Sequence, residues 1–335
     1  MHVDRIAVVI PCYKVKAHIL SVLPRIGPEC WKIYVVDDEC PEKTGDYVRE
    51  NNADPRVTVL YNTRNRGVGG AVCEGYRKAI ADDAVIIVKI DGDGQMDPGL
   101  IPQFIRPIID GEADYTKGNR FYNPEYVAQM PFARICGNAF LSFLTKLSSG
   151  YWESFDPTNG YTAIHASVAG MLPLSKISQR YFFESDMLFR LNTIRAVVRD
   201  IPMRAVYGSE VSNLHIGKIL PEFTVKHAVN TFKRICYNYF LRNFSLASLQ
   251  LVIGLIAIGF GGIFGTIKWV ASSASGKDAT AGTVMLAALP VMLGIQFILG
   301  FFNYDIISTP RYPLSRKMRI RDNGVPMAQC SWLNL

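Results

Sequence analysis

Residues 84–95 read AVIIVKIDGDGQ, an almost wholly apolar run that ends in two aspartates. Short β-branched runs are typical of strands buried on both faces of a sheet, so we predict a strand over 84–90. Similar runs occur earlier in the chain, at 6–10 where Pro11 ends the run, at 31–36 and at 57–61. Helical segments separate them, at 17–25, 44–51 and 69–81. This alternation predicts an α/β fold with a parallel sheet.

Polar clusters follow three of these strands, at the point where each strand ends. They lie at 11–13, at Asp37 and Asp38, and at 91–95. The carboxyl ends of parallel strands meet at one edge of a sheet, and ligands bind there in open α/β folds. The three clusters therefore predict a single site.

The cluster at 91–95 has the composition of a cation and phosphate site. Asp91, Asp93 and the amide oxygen of Gln95 are hard oxygen donors that suit Mg²⁺ or Mn²⁺. Such an ion neutralises a diphosphate leaving group, and Gly92 and Gly94 let a phosphate approach the backbone. The alternative is an ordinary Asp/Gly turn with local side-chain hydrogen bonds.

The run NRGVGGA at 65–71 is a weak match to a dinucleotide fingerprint, because it follows the third strand and lacks the third small residue. Two interpretations stay open. The glycines begin a helix whose first amides face a diphosphate, or they form a tight turn that packs the helix closely.

The distribution of charge indicates the partner. The 335 residues are 49% hydrophobic and 19% charged, with a net charge of +7, which first suggests nucleic acid or an anionic membrane. The first 216 residues are nearly neutral, with 24 Lys and Arg against 25 Asp and Glu, and the basic excess lies in 217–245 and 306–335. Those segments flank two uncharged stretches, 243–267 and 279–304. We therefore expect a membrane partner and no nucleic acid.

Each uncharged stretch is about 37 Å long as a helix, enough to cross a hydrocarbon core of about 30 Å. We predict transmembrane helices over 246–270 and 282–307, against the alternative of two buried core helices. The positive-inside rule places both basic flanks, and so both termini, in the cytoplasm. Glycines in the first span favour close helix packing, which suggests a homo-oligomer.

These observations predict a catalytic domain over 1–216, two spans, and a basic, irregular tail over 308–335. Between domain and spans, residues 217–245 interleave apolar side chains with Lys226, Lys233, Arg234 and Arg242. That pattern is typical of amphipathic helices at the headgroup level of a membrane. The alternative is a helix packed on the globular domain.

The motifs taken together resemble a known family. Five of them occur in the order seen in family 2 glycosyltransferases of the GT-A fold: VVIPCY at 8–13, VVDD at 35–38, NRGVGGA at 65–71, DGDGQ at 91–95 and KGNR at 117–120. Three more resemble the subgroup that glycosylates a polyprenyl phosphate: DPTNGY at 156–161, ESDML at 184–188 and IPMR at 201–204. That subgroup includes dolichyl-phosphate mannose synthases and bactoprenol glucosyltransferases, and the two-span hairpin is closer to the latter.

The resemblance implies a role for each matching residue. It assigns four residues to the nucleotide base and ribose: Pro11, Tyr13, Val36 and Asp38. It assigns Asp91, Gly92 and Asp93 to the nucleotide sugar, and Arg120 to the diphosphate or sugar. It assigns the metal to Asp91 and Asp93, with Gln95 as a further ligand. The chain departs from the family pattern at Tyr13-Lys14-Val15, where the third residue is usually acidic.

Three carboxylates are candidate catalytic groups, together with Arg120. Asp156 occupies the family position proposed as the base or as the organiser of the attacking oxygen. Glu184 and Asp186 lie two residues apart before a predicted helix, so they are either catalytic or helix caps.

The acceptor phosphate calls for cations. A phosphomonoester with a second pKa of about 6 is largely ionised at pH 7, so a strong general base matters less. Guanidinium groups match phosphate oxygens, and the candidates are Arg120, Arg134, Arg204 and Lys218, with His215 as a helper. The alternative for each is a solvated surface charge.

Together with the charge pattern, the resemblance implies a metal-dependent transferase at the cytoplasmic face of a bacterial inner membrane. It implies a nucleotide-sugar donor, with UDP-glucose first and GDP-mannose or another UDP-sugar next, and a polyprenyl phosphate as acceptor. Direct attack on the anomeric carbon inverts its configuration. The alternatives are a processive polysaccharide synthase, which needs more spans and a Gln-x-x-Arg-Trp motif, and a non-catalytic membrane-tethered nucleotide-binding protein.

Overall fold

The computed structural model describes residues 5–127, 132–204, 216–316 and 318, which form two compact units. The first unit holds the chain up to Thr231 together with the segment that begins at Pro310, and the second is Phe232–Thr309. These limits differ from the predicted domain boundaries, because half of the predicted juxtamembrane segment and the predicted tail from Pro310 onward belong to the first unit.

A seven-stranded sheet forms the centre of the first unit. The strands are β1 Ile6–Cys12, β2 Cys30–Asp37, β3 Val57–Tyr61, β4 Ile86–Lys89, β5 Tyr115–Asn119, β6 Thr162–His165 and β7 Val198–Pro202. Their order is β3-β2-β1-β4-β6-β5-β7, and all neighbours are parallel except β6, which is antiparallel to β4 and β5. The predicted α/β class with a mainly parallel sheet is confirmed.

Helices cover both faces of this sheet. They are α1 Lys16–Val22, α2 Thr44–Asn51, α3 Val68–Ala81, α4 Ile101–Ile109, α5 Pro124–Val127, α6 Phe132–Ser149, α7 Ala166–Gly170 and α8 Phe183–Thr193. Successive strand residues point to opposite faces, so Val8 packs in one apolar cluster with Phe104 and Val9 in the other with Tyr76. Burial on both faces explains why these strands read as continuous apolar runs.

The first strand is longer than predicted. We expected Pro11 to end it, but β1 continues through Pro11 to Cys12, with Pro11 level with Val36 of β2. Val9 accepts a hydrogen bond from Ile90 on the β4 side, so position 11, two residues on, also faces that side. The pairing of β1 with β4 ends at Val9. The missing N–H of Pro11 therefore costs no hydrogen bond of the sheet.

From Pro310 onward, the described part of the predicted irregular tail, residues 310–316 and 318, packs against the rest of the first unit and includes a helical turn at 314–316. The buried carboxylate of Asp114 accepts hydrogen bonds from the backbone N–H groups of Leu314 and Ser315, both 2.8 Å away, and from that of Val197. Leu314 and Met318 pack against the core. Asp114 thus caps a helical turn 200 residues further along the chain.

The second unit contains two long apolar helices, α10 Leu246–Ser275 and α11 Ala281–Ile307. They follow α9 Ile216–Cys236, which begins in the first unit, and a π-helical turn at Tyr237–Arg242. Only 22% and 11% of their most apolar windows are buried. Because a soluble core helix would be mostly buried, this exposure favours a membrane hairpin over the core-helix alternative.

The glycines of this hairpin mostly pack its two helices against each other. A Cβ at Gly254 would lie 3.0 Å from the carbonyl oxygen of Gly294, and one at Gly261 would lie 2.6 Å from that of Ala287. Gly259 and Gly262 face open space. The glycine pattern that suggested a homo-oligomer is therefore largely explained within one chain.

We predict that Asp114→Ala releases the docked C-terminal segment. Three backbone N–H groups lose their acceptor, two of them buried, which costs about 2 kcal/mol or more. Hydrogen–deuterium exchange should show faster exchange at Leu314 and Ser315, and the first unit should melt at a lower temperature. Asp110→Ala is the control, because Asp110 pairs with the exposed Arg106. This variant should leave the exchange of Leu314 and Ser315 unchanged. Unchanged exchange in Asp114→Ala would show that other contacts hold the segment.

Candidate active site

A buried ammonium organises the edge of the sheet where β4 ends. The side chain of Lys89 is 1% exposed, and its Nζ lies 2.8 Å from Asp91 Oδ1 and 3.4 Å from Glu184 Oε1. Asp91 belongs to the loop after β4 and Glu184 to the first turn of α8. One cation therefore joins two carboxylates that are 93 residues apart in the sequence.

The charges in this cluster support one another. Burial by itself lowers the pKa of Lys89, but Asp91 and Glu184 outweigh it and hold that pKa above its usual value. Burial raises the pKa of Glu184, while the charge of Lys89 opposes the rise. Lys89 is thus charged at neutral pH, and it stabilises carboxylates that would otherwise repel each other.

The loop that follows β4 carries the candidate metal ligands. Asp93 Oδ1 accepts a hydrogen bond from the backbone N–H of Gln95, and Gly94 has a φ of +79°, which an L side chain rarely adopts. Among the residues that the structure describes, no group of three or more His, Cys, Asp and Glu forms a metal cage. Mg²⁺ and similar ions are commonly held by one or two carboxylates together with substrate phosphates. The donor set at Asp91, Asp93 and Gln95 fits that mode.

A second charge pair lies where β5 ends. The guanidinium of Arg120 donates from Nε and Nη2 to the two oxygens of Asp156, each at 2.7 Å, and its backbone N–H donates to Oδ2 as well. Asp156 is fully buried, and Asn159 adds a longer hydrogen bond to the same Oδ2. This bidentate contact holds the guanidinium in one orientation while 28% of the Arg120 side chain stays exposed.

The state of Asp156 limits its chemistry. Burial pushes the pKa of Asp156 upward, but the hydrogen bonds and charge of Arg120, with the charge of Lys117, more than reverse this and lower it. A carboxylate with a lowered pKa and both oxygens already bonded is a weak proton acceptor at neutral pH. The geometry favours Asp156 as the group that orients Arg120.

Strand β6 brings the two charge pairs to one edge. It runs antiparallel to its neighbours, so the loop at 156–161 that precedes it lies where β4 and β5 end. Gly160 in this loop packs against the Lys89–Asp91 pair, since a Cβ there would lie 2.3 Å from Lys89 Nζ and 2.8 Å from Asp91 Oδ2. The same loop thus carries Asp156 and leaves room for Lys89.

Asp38, which directly follows β2, binds the protein's own backbone. Asp38 accepts hydrogen bonds from the N–H groups of Arg66 and Gly67 and from the Asn62 side chain. A Cβ at Gly69 would lie 2.4 Å from the carbonyl oxygen of Ser178. These contacts favour the tight-turn interpretation of the glycine run, with Asp38 as the anchor of that turn.

The remaining residues assigned to the nucleotide differ in their accessibility. Pro11 is buried and Val36 is fully buried in the core, whereas Tyr13 is 45% exposed beside them. Gly92 is buried, and a Cβ there would touch Val15 at 3.1 Å. Of these four, only Tyr13 presents a large surface to a ligand.

Glu184 and Asp186 have different partners, although they lie two residues apart. Both lie in the first turn of α8, but the helix begins after Phe182, so neither is its N-cap. Asp186 accepts hydrogen bonds from the backbone of Ser178 and from the side chains of Arg190 and Asn230. Asp186 therefore holds α9 and the loop before α8 against the start of α8, while Glu184 forms an ion pair with Lys89.

The acceptor candidates are only partly described. Arg204 is exposed and lines a cavity of about 450 Å³ together with Leu100, Tyr122 and Met203. Arg134 lies in α6 and Lys218 in α9, but the described parts of the chain do not include these two side chains or His215.

Sequence reasoning missed Lys89. The signal was present, since a lysine inside an otherwise apolar strand needs a partner, and position 91 points to the same side as position 89. Lys117 in β5 has the same character. It is 2% exposed, lies 3.3 Å from Asp200 and donates to the carbonyl of Phe155.

Comparisons with known proteins agree with this geometry. The sequence profile of Glycosyl transferase family 2 matches residues 7–170. The chain is 30% identical over 216 residues to the UDP-N-acetylglucosamine–dolichyl-phosphate N-acetylglucosaminyltransferase of Methanococcus voltae, covering 60% of this chain and 86% of that protein. It is 29% identical over 226 residues to the undecaprenyl-phosphate mannosyltransferase of Micrococcus luteus, covering 66% and 91%.

A solved structure has a similar fold. Glucosyl-3-phosphoglycerate synthase from Mycobacterium tuberculosis, crystallised with Mn²⁺, UDP and glucosyl-3-phosphoglycerate, has a TM-score of 0.50 and 18% identity over 69% of this chain and 80% of that one. The sheet and its edge thus define a GT-A-like fold. The chain belongs to glycosyl transferase family 2, and within it to the polyprenyl-phosphate glycosyltransferase subgroup.

We predict that Arg120→Met destabilises the first unit by about 3–5 kcal/mol, because it leaves the buried carboxylate of Asp156 unpaired. Thermal unfolding of the purified protein measures this, with Arg106→Met as the control, since Arg106 is 75% exposed and its pair contributes little. An equal, small loss of stability in both variants would contradict this prediction.

The same pair predicts a dependence of stability on pH. The pKa of Asp156 is lowered in the folded state from 3.8, so its contribution is complete above that value and is lost as pH falls below it. Asp156→Asn should therefore remove part of the loss of stability seen on acidification from pH 5 to pH 2. Parallel acid-unfolding curves of the variant and the parent would contradict the assignment.

Proposed function

We propose that this chain transfers a sugar from a nucleotide-sugar donor to the phosphate of a polyprenyl phosphate, with inversion at the anomeric carbon. The observation that carries the proposal is the single sheet edge that holds both the Asp91–Lys89–Glu184 cluster and the Arg120–Asp156 pair. Two relatives named for transfer to dolichyl phosphate and undecaprenyl phosphate support the acceptor class.

Asp91, Asp93 and Gln95 would hold a divalent cation, Mg²⁺ or Mn²⁺. When bound, such an ion neutralises charge on a diphosphate leaving group. The chain's own contribution is to fix these donors, because Lys89 holds Asp91 and the backbone of Gln95 holds Asp93. Mn²⁺ in the crystals of the synthase with a similar fold is consistent with this site.

The acceptor side needs oriented positive charge more than a base, since a lipid phosphate is already largely ionised at pH 7. Arg120, fixed by Asp156, would bind a phosphate oxygen and hold the attacking oxygen near the donor. Arg204 would bind the same phosphate beside its cavity, where the apolar side chains of Leu100 and Met203 would contact the first prenyl unit. Arg134 and Lys218 remain candidates for the same role.

We propose that α10 and α11 cross the membrane as a hairpin, with both flanks in the cytoplasm. The lipid acceptor and the basic segments at 217–245 and 306–335 support this arrangement. We further propose UDP-glucose as donor, with GDP-mannose, UDP-N-acetylglucosamine and other UDP-sugars as the competing donors that the names of the relatives suggest.

The direct test incubates the purified protein with C55 polyprenyl phosphate, Mn²⁺ and a panel of nucleotide sugars. We expect mass spectrometry to detect one lipid-linked hexose, and NMR to show an anomeric configuration opposite to that of the donor. Absence of a glycolipid with every donor would reject the proposed activity. A retained configuration would reject direct attack by the phosphate.

We predict that chelation by EDTA abolishes transfer and that added Mn²⁺ or Mg²⁺ restores it. Asp93→Asn should lower kcat/KM by roughly 100-fold or more, because charge on the leaving group is no longer balanced. Asp83→Asn is the matched control, since Asp83 lies before β4, is 84% exposed and should leave the rate unchanged. Full activity in EDTA would rule out the metal.

Topology can be tested by labelling. In intact cells that express the protein, a membrane-impermeant amine reagent should modify Lys277, in the loop between α10 and α11, and should not modify Lys226 or Lys233. Peptide mass spectrometry reads the result. Labelling of Lys226 with protection of Lys277 would reverse the proposed orientation.

A further inference from the structure

Lys89 has a position that no sequence motif assigns. It occupies the last residue of a central strand, where both neighbouring strands are hydrogen-bonded and the side chain is 1% exposed. Taking an ammonium out of water costs several kcal/mol unless charged partners compensate. At this position an apolar residue would continue the core, so the lysine needs a reason beyond packing.

Three separate segments meet at this ammonium. Asp91 comes from the loop after β4, Glu184 from α8, and Gly160 from the loop before β6. A side chain at position 160 would displace the ammonium of Lys89, since its Cβ would be 2.3 Å from Nζ. The glycine is thus matched to the lysine, and the lysine to its two carboxylates.

The contact with Lys89 also places the two oxygens of Asp91 in different surroundings. Oδ1 is 2.8 Å from Lys89 Nζ, and across the described ranges of the chain this is the only ion pair of the Asp91 side chain. Oδ2 lies beside Gly160, and the side chain is 30% exposed. With Oδ1 held, the rotation of the carboxylate is limited and Oδ2 is available to a ligand at the sheet edge.

We propose that Lys89 is a positioning residue for the donor: it orients Asp91 for the diphosphate and its divalent cation, and it holds Glu184 beside that site. This inference rests on the proposed function, since it concerns how the same site binds a nucleoside diphosphate. Partners that orient metal ligands typically contribute 10- to 100-fold to metal affinity. Lys89 would act in this way through Asp91 without itself touching the cation.

The test measures binding of Mn²⁺ with UDP or GDP to the full-length protein in detergent. Calorimetry reports nucleotide affinity, and the EPR signal of free Mn²⁺ reports metal affinity, so no turnover is needed. We expect Lys89→Met to weaken Mn²⁺ binding in the presence of nucleotide by about 10- to 100-fold. In turnover, KM for the donor should rise by a larger factor than kcat falls.

A double variant tests whether Lys89 positions Asp91 or only balances the charge of Glu184. Lys89→Met leaves the charge of Glu184 uncompensated, and K89M/E184Q removes that charge. We therefore expect the double variant to melt close to the parent, while its Mn²⁺ affinity stays low. If K89M does not fold, the double variant carries the test. Recovery of full affinity in K89M/E184Q would show that Lys89 only neutralises Glu184, and would overturn the proposal.

Lys117→Met supplies the matched control. It also removes a buried strand lysine, but one that is paired with Asp200 on β7. We expect lower stability with unchanged Mn²⁺ affinity, and an equal loss of affinity in both lysine variants would overturn the proposal. If the parent binds neither nucleotide with Mn²⁺, the proposed function itself fails. If the parent binds and K89M binds equally well, only the role of Lys89 fails.

Discussion

Charges buried at the edge of the sheet must be paired, and this constraint organises the catalytic unit. Lys89 and Asp156 are 1% and 0% exposed, and each would be costly to bury alone. Glu184, the second partner of Lys89, lies on α8, and Arg120, the partner of Asp156, follows β5. The contact of Lys89 with Glu184 therefore needs β4 and α8 assembled, and the Arg120–Asp156 pair needs β5 assembled with the loop before β6. The site and the fold are therefore stabilised by the same contacts.

The antiparallel strand β6 explains how this is possible. A fully parallel sheet would place only the loops after its strands at the ligand edge. Reversal of β6 adds the loop before it, at 156–161, which carries both the counter-ion of Arg120 and the glycine that leaves room for Lys89. Glycine at position 160 and aspartate at position 156 thus serve one purpose, which is to bring two charge pairs together.

Much of this architecture could be predicted from local sequence. The runs at 57–61 and 44–51 match β3 and α2, because apolar period and helix propensity act within a few residues. The carboxylates at 91 and 93 were identifiable because they follow a buried strand. The uncharged stretches predicted α10 and α11 to within a few residues at most ends.

The rest depends on contacts between residues far apart. Nothing local to Asp38 shows that it binds the turn at Arg66 and Gly67, and nothing local to Asp114 shows that it caps a turn near residue 314. The antiparallel direction of β6 is likewise set by pairing with β4 and β5, to which a single strand gives no clue. Lys89 was detectable as an anomaly, but its partner Glu184 was not.

The central claim is that the carboxylates after β4 form the donor site of this chain. Crystals grown with Mn²⁺ and a nucleoside diphosphate test it directly, through anomalous scattering at the manganese absorption edge. We expect one strong peak, from a manganese ion bound by Asp91 or Asp93 and by the diphosphate oxygens, with Lys89 still paired to the other oxygen of Asp91. A manganese peak at another place, or a nucleotide bound away from this edge, would contradict it.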